Sequence, residues 1–137
     1  MKKALGLVIV LAGCATPQQA TDRAQAFATA AFVGQDVTAF FSLHGLPSAR
    51  HVAGDGSVLF EWQSDVRSYQ LPGHVNTTSY RSGNTVQTVG TVTPGPNVST
   101  FCRARITTTD KGVITAFRIT ADTVGEWAMS RCGEVLK

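Results

Sequence analysis

Between Thr21 and Pro47 the apolar positions recur at helical spacing, and beyond Pro47 they recur in steps of two. Thr21-Asp22 offers capping side chains ahead of an Ala-rich run from Arg23 to Phe32, which predicts a helix ending near Gly34. A second helix is predicted from Val37, Phe40, Phe41 and His44, which lie three or four residues apart on one face. Asp36 stands at its N-cap or in its first turn, and Gly45 followed by Pro47 supplies the stop. Val58, Phe60 and Trp62 then share one face of a strand entered through the turn Gly54-Asp55-Gly56. Arg67 to Leu71 and Thr77 to Arg81, separated by Pro72-Gly73, are weaker strands. Thr85 to Thr93 is rich in Val and Thr and stops at Pro94-Gly95-Pro96. Ser99 to Thr108 puts Cys102, Ala104 and Ile106 on one face and Phe101, Arg103 and Arg105 on the other. Asp110-Lys111-Gly112 turns the chain into Val113 to Thr120, forming a hairpin. From Thr123 a short helix is expected, with Trp127 and Cys132 facing inward. Two helices, several antiparallel strands and a final helix predict an α+β fold in which the N-terminal helices pack on one face of the sheet.

The segment before these elements has a different character. Lys2 and Lys3 precede an apolar run from Ala4 to Ala12, which ends in Leu11-Ala12-Gly13-Cys14. About 20 apolar residues are needed to cross a bilayer, so this run reads as a secretory leader and not as a spanning helix. A Cys directly after small residues is the pattern of a bacterial lipobox. Residues 1–13 are therefore expected to be removed, and Cys14 to become the acylated first residue of the mature chain. At about 0.8 kcal/mol per buried methylene, three acyl chains give permanent attachment. Ala15, rather than Asp, points to the outer membrane by the enterobacterial sorting rule. Residues 14–21 suit a lipidated tether, and residues 22–137 a single domain.

Assigning Lys2 and Lys3 to the leader leaves ten Lys/Arg against nine Asp/Glu, scattered without a basic stripe. Nucleic acid loses its main support as a partner. Removing Cys14 to the lipid leaves Cys102 and Cys132, an even pair in a compartment where disulfides persist, and the expectation is that they are bonded. Two free thiols or half of a metal site are the alternatives. His44, His51 and His74 have no short ligand spacing with each other or with either Cys, so no metal is expected.

Catalysis has little to stand on. Asp55 and Asp110 sit in Gly-containing turns, His44 lies on the edge of an apolar helical stripe, and Ser130 has no His beside it in the sequence. No catalytic residue and no cofactor are expected. Among the aromatic residues, periodic placement assigns Trp62 and Trp127 to the core. Tyr69 and Tyr80 fall in the weakly patterned segment 64–84 and are the candidates for partner binding.

Residues 34–47, GQDVTAFFSLHGLP, resemble the helix and turn of the SmpA/BamE-like outer-membrane lipoproteins, in which a Gly opens a short amphipathic helix that ends in Gly-x-Pro. Residues 106–114, ITTTDKGVI, are similar to that family's closing hairpin. The resemblance implies the α+β fold and a location in the cell envelope; with Ala15 pointing to the outer membrane, the domain is expected to face the periplasm. The Cys102/Cys132 pair and the segment 122–137 have no counterpart in the family pattern, so the family's part in barrel assembly does not carry over. The expected function is a non-enzymatic lipoprotein that binds or scaffolds another envelope component, with the membrane and an envelope protein as partners. The alternative is a periplasmic inhibitor or exclusion factor that blocks an enzyme or a conjugation partner.

Overall fold

A computed structural model describes residues 13–137; of the expected leader only Gly13 falls within it. Among the described residues the protein is α+β, with three helices, antiparallel sheets and one disulfide between Cys102 and Cys132. Helix α1 spans Pro17–Phe32, so it begins within residues 14–21, expected to be a tether, and ahead of the predicted Thr21-Asp22 cap. The cause is a capping box. Thr16 Oγ1 accepts from the Gln19 backbone N–H at 3.3 Å, the Gln19 amide oxygen accepts from the Thr16 N–H at 3.1 Å, and Pro17 takes the first helical position. Helix α2, Val37–His44, is capped by Asp36, the first of the two places expected for it, and Gly45 at φ 95° releases the chain.

A four-stranded sheet follows in the order β1-β2-β7-β8, comprising Ala49–Val52, Val58–Gln63, Cys102–Thr108 and Ile114–Asp122. Its inner face carries Val58, Trp62, Cys102, Ala104, Ile106, Ile114 and Phe117, all buried. Ala24 and Ala28 of α1, together with Val37 and Phe40 of α2, join most of them in one cluster. The outer face is polar, with Arg105 paired to Glu61 at 3.2 Å. The open edge of β8 is occupied by side-chain and loop atoms. Gln25 of α1 donates to the Phe117 carbonyl at 2.8 Å and accepts from the Ile119 N–H at 2.7 Å, and Gly34 and Gln35 exchange backbone bonds with Ile114.

His44 is half-buried, as its place on the apolar stripe suggested. Its ring lies 4.5 Å from Phe40, and its carbonyl accepts from Trp62 Nε1 at 3.0 Å. Burial holds its imidazole below its ordinary pKa, against a smaller opposing effect of a hydrogen bond with the Val135 backbone.

The remaining strands leave the core. Ser99–Thr108, read as one strand, is broken at Phe101 into β6, Asn97–Thr100, and β7. Strand β3, Arg67–Gln70, pairs with β6. Strand β4, His74–Ser82, pairs with β5, Thr85–Thr93, so residues 67–100 form one jointed ribbon. At the joint Leu71-Pro72-Gly73 passes Pro94-Gly95-Pro96 very closely. A Cβ on Gly95 would stand 2.1 Å from the Leu71 carbonyl oxygen, and one on Gly73 2.3 Å from that of Thr93. Every residue of β4 and β5 is exposed. The turn between them is Gly83-Asn84, with Gly83 at φ 62°, the first position of a type II′ hairpin.

The C-terminal expectation needs correction. No helix begins at Thr123; residues 123–129 form a loop, and helix α3 spans only Arg131–Val135, capped by Ser130. Cys132 is buried as expected. Trp127 is not in the core and is 93% exposed.

Candidate functional site

The loop that carries Trp127 is built around one carboxylate. Glu134, projecting back from α3, accepts from the backbone N–H groups of Trp127 at 2.6 Å, Ala128 at 2.8 Å and Glu126 at 3.3 Å. Its other partner is the buried Arg131 guanidinium at 3.0 Å, which also reaches Asp65 at 3.2 Å. Burial acts to raise the Glu134 pKa. The hydrogen bonds from Trp127, Arg131, Ala128 and Glu126 outweigh it, and the carboxyl is held below its ordinary value. Gly125 makes the approach possible, because a Cβ there would lie 2.4 Å from the Glu134 carboxylate. The Gly125 N–H closes the turn onto the Ala128 carbonyl at 2.9 Å.

Both ends of the loop are fixed as well. Thr123 donates to and accepts from the Phe101 backbone, and the Arg131 N–H bonds the Thr123 carbonyl at 2.8 Å. Asp122 gathers Thr21 of α1 at 2.8 Å, Ser130 at 2.5 Å and the Cys132 N–H at 2.9 Å onto a single carboxylate. The outcome is a large aromatic side chain held out in water by a short loop whose Gly125, Glu126, Trp127 and Ala128 N–H groups are all bonded. Beside the loop runs a groove of about 480 Å³. It lies between α1 and the C-terminal segment, lined by Ala20, Ala24, Phe27, Ala128, Cys132 and Gly133, with Arg23 and Lys137 also contributing.

Cys14 is exposed, lies just ahead of α1, and is the only cysteine outside the disulfide among the described residues. No helix among them is long and apolar enough to cross a membrane. Tyr69 and Tyr80 stand on different segments of the ribbon, on either side of its joint. Tyr69 is half-buried opposite Val98, whereas Tyr80 is exposed and its hydroxyl donates to Gln87. Among the described residues no group of three or more His, Cys, Asp and Glu is placed to hold a metal.

No protein-family model, curated protein or solved structure matches this chain. Sequence reasoning missed Trp127 as a surface residue. The only local signal is Gly125, a glycine two residues before the aromatic, which suits a tight loop.

Proposed function

We propose that this chain is a lipid-anchored protein of the bacterial outer membrane, attached through Cys14, whose domain binds another envelope component and catalyses no reaction. The anchor reading is supported by the Leu11-Ala12-Gly13-Cys14 pattern behind a basic, apolar leader. The binding reading is carried by one observation: Trp127 is 93% exposed on a loop whose backbone N–H groups are already bound by a largely buried Glu134. Trp is enriched among the residues that dominate interfaces, and a pre-ordered loop loses little conformational freedom on binding.

In the arrangement we infer, two N-terminal helices lie on one face of the antiparallel sheet and the short C-terminal helix closes its end. The Trp127 loop then borders the N-terminal half of α1, on the anchored side of the domain. A partner held at the same membrane would meet that flank. An inhibitor or exclusion factor would reach its target with a protruding element, and the ribbon β4–β5 protrudes. The uncharged open edge of β5 suits strand pairing better than the filling of a cleft.

The test has two arms. Labelling with an alkynyl fatty acid is expected to mark the wild type and to vanish in Cys14→Ser; label persisting in the variant would end the anchor reading. A photo-cross-linking residue at position 127 is expected to give a discrete adduct in intact membranes, and the same residue at the exposed Arg118 none. Equal adducts at both positions, or none at either, would remove Trp127 as the contact.

A further inference from the structure

We propose that the ribbon β4–β5 is a self-association element, in which β5 of one copy pairs antiparallel with β5 of a second copy about a two-fold axis through Val89. This surface is separate from the Trp127 loop, and neither reading depends on the other.

Three observations lead to it. First, β5 has one partner only: it pairs with β4 on one side, and its other edge carries no strand among the described residues. A nine-residue edge with no charge, no Pro and no bulge is a template for pairing. Native proteins usually blunt such an edge. Here the neighbouring β4 carries Arg81 and His74, whereas Thr85–Thr93 carries nothing.

Second, the hydrogen-bond parity of the hairpin selects which registers are open. The two-residue turn makes Ser82 and Thr85 a bonded pair, so the N–H and C=O groups of Val86, Thr88, Gly90 and Val92 point away from β4. A second β5 must bond these even-numbered residues to one another.

Third, among the registers that parity permits, one matches the sequence to itself. Centred on Val89, TVQTVGTVT places Thr85 opposite Thr93, Val86 opposite Val92, and Val89 opposite its own copy. Shifting the centre to Thr88 or Gly90 sets Val against Gly, Gln or Thr instead. Such an isologous contact closes after two copies. It extends the sheet to four strands and joins rows that the ribbon already begins: Val75 opposite Val92, then Val86 of the second copy, and Thr78 opposite Val89, then Val89 of the second copy. Charge does not oppose it. The two Arg81 side chains fall in rows about 20 Å apart at about 3.3 Å per residue, and the outer edges of the new sheet are the β4 strands that carry them.

The experiment uses the full chain with Cys14→Ser, so that an introduced cysteine is the only unpaired thiol. Facing residues of a non-hydrogen-bonded antiparallel pair lie about 4.5 Å apart at Cα, within disulfide reach. Val89→Cys is therefore expected to form a covalent dimer under mild oxidation, Val86→Cys alone not to do so, and Val86→Cys with Val92→Cys to restore it. Thr88→Pro removes an outward N–H and leaves the backbone bonds to β4 in place, losing there only the hydroxyl contact with Ser79, and it is expected to cut the Val89→Cys dimer about tenfold or more. Circular dichroism and an intact Cys102–Cys132 bond check that each variant is folded. Absence of the Val89→Cys dimer in folded protein, or equal dimer from Val86→Cys alone, overturns the proposal.

Discussion

At the scale of single residues the C-terminal loop turns on the ionisation of Glu134. Three backbone N–H groups and a guanidinium are bonded to its carboxylate, and every one of those bonds requires the charged form or is stronger with it. A carboxyl whose folded pKa is depressed contributes order that is complete above its unfolded pKa and lost as the pH falls through the folded one. The Trp127 and Ala128 amide proton resonances are therefore expected to titrate together, with a midpoint below the ordinary glutamate value of 4.5. Glu134→Gln should abolish that titration. A midpoint above 4.5, or no coupled titration, would show that the loop is held by something else. The same residue explains why the sequence misplaced Trp127. Counting apolar positions treats an aromatic near the end of a chain as a candidate for the core, and it has no means of seeing a carboxylate behind the loop that holds the side chain outward.

Among the elements, α2 places an aromatic ring in the middle of the core. Phe40 is 3% exposed and meets Phe32, Trp62 and Phe117 at ring separations of 5.0, 5.4 and 5.5 Å. Replacing such a ring by alanine leaves a cavity that rigid neighbours only partly fill, so Phe40→Ala is expected to cost about 3 to 5 kcal/mol in urea denaturation. A loss below about 1 kcal/mol would mean that the cluster does not close over this ring. Elements of this kind were legible because burial writes a period into the sequence. Helix α2 was read with its caps, β5 with its ends, and the inner face of β7 through Cys102, Ala104 and Ile106. Strand β1 was missed because Ala49, Arg50, His51 and Val52 are all exposed, and nothing alternates. The ribbon was only half seen for a related reason. With β4 and β5 exposed on both faces no core imposes a pattern, and the readable signal is the Gly83-Asn84 turn. The start of α1 was also present in the sequence, as Thr16-x-x-Gln19 with Pro17 between them. The Thr21-Asp22 pair competed with it as an equally plausible cap.

For the whole molecule, the decisive link is the disulfide between Cys102, where β7 begins, and Cys132 in α3, with a sequence separation of 30. Closing a loop of that size contributes about 3 to 4 kcal/mol in the chain-entropy model, a large part of a small domain's stability. Helix α3 has only five residues and does not persist by itself, since helix nucleation is unfavourable and short helices gain too few bonds to offset it. What keeps it in place besides the disulfide is the burial of Leu136, the pairing of Arg131 and the bonds of Asp122. The sheet, by contrast, is held by β2, β7 and β8 and by a core that draws on α1 and α2. Breaking the bond should thus free the C-terminal segment before the sheet unfolds. Arg131 reports this directly, because it is 5% exposed in the intact fold and closed to trypsin. In Cys132→Ser, or after reduction, cleavage after Arg131 is expected to become the fastest cut in the domain, while circular dichroism still reads a folded sheet. Tryptic resistance at Arg131 equal to that of the oxidised parent would show that Leu136 and the ion pairs suffice to dock the helix. Simultaneous loss of the sheet signal would show instead that the disulfide supports the entire fold.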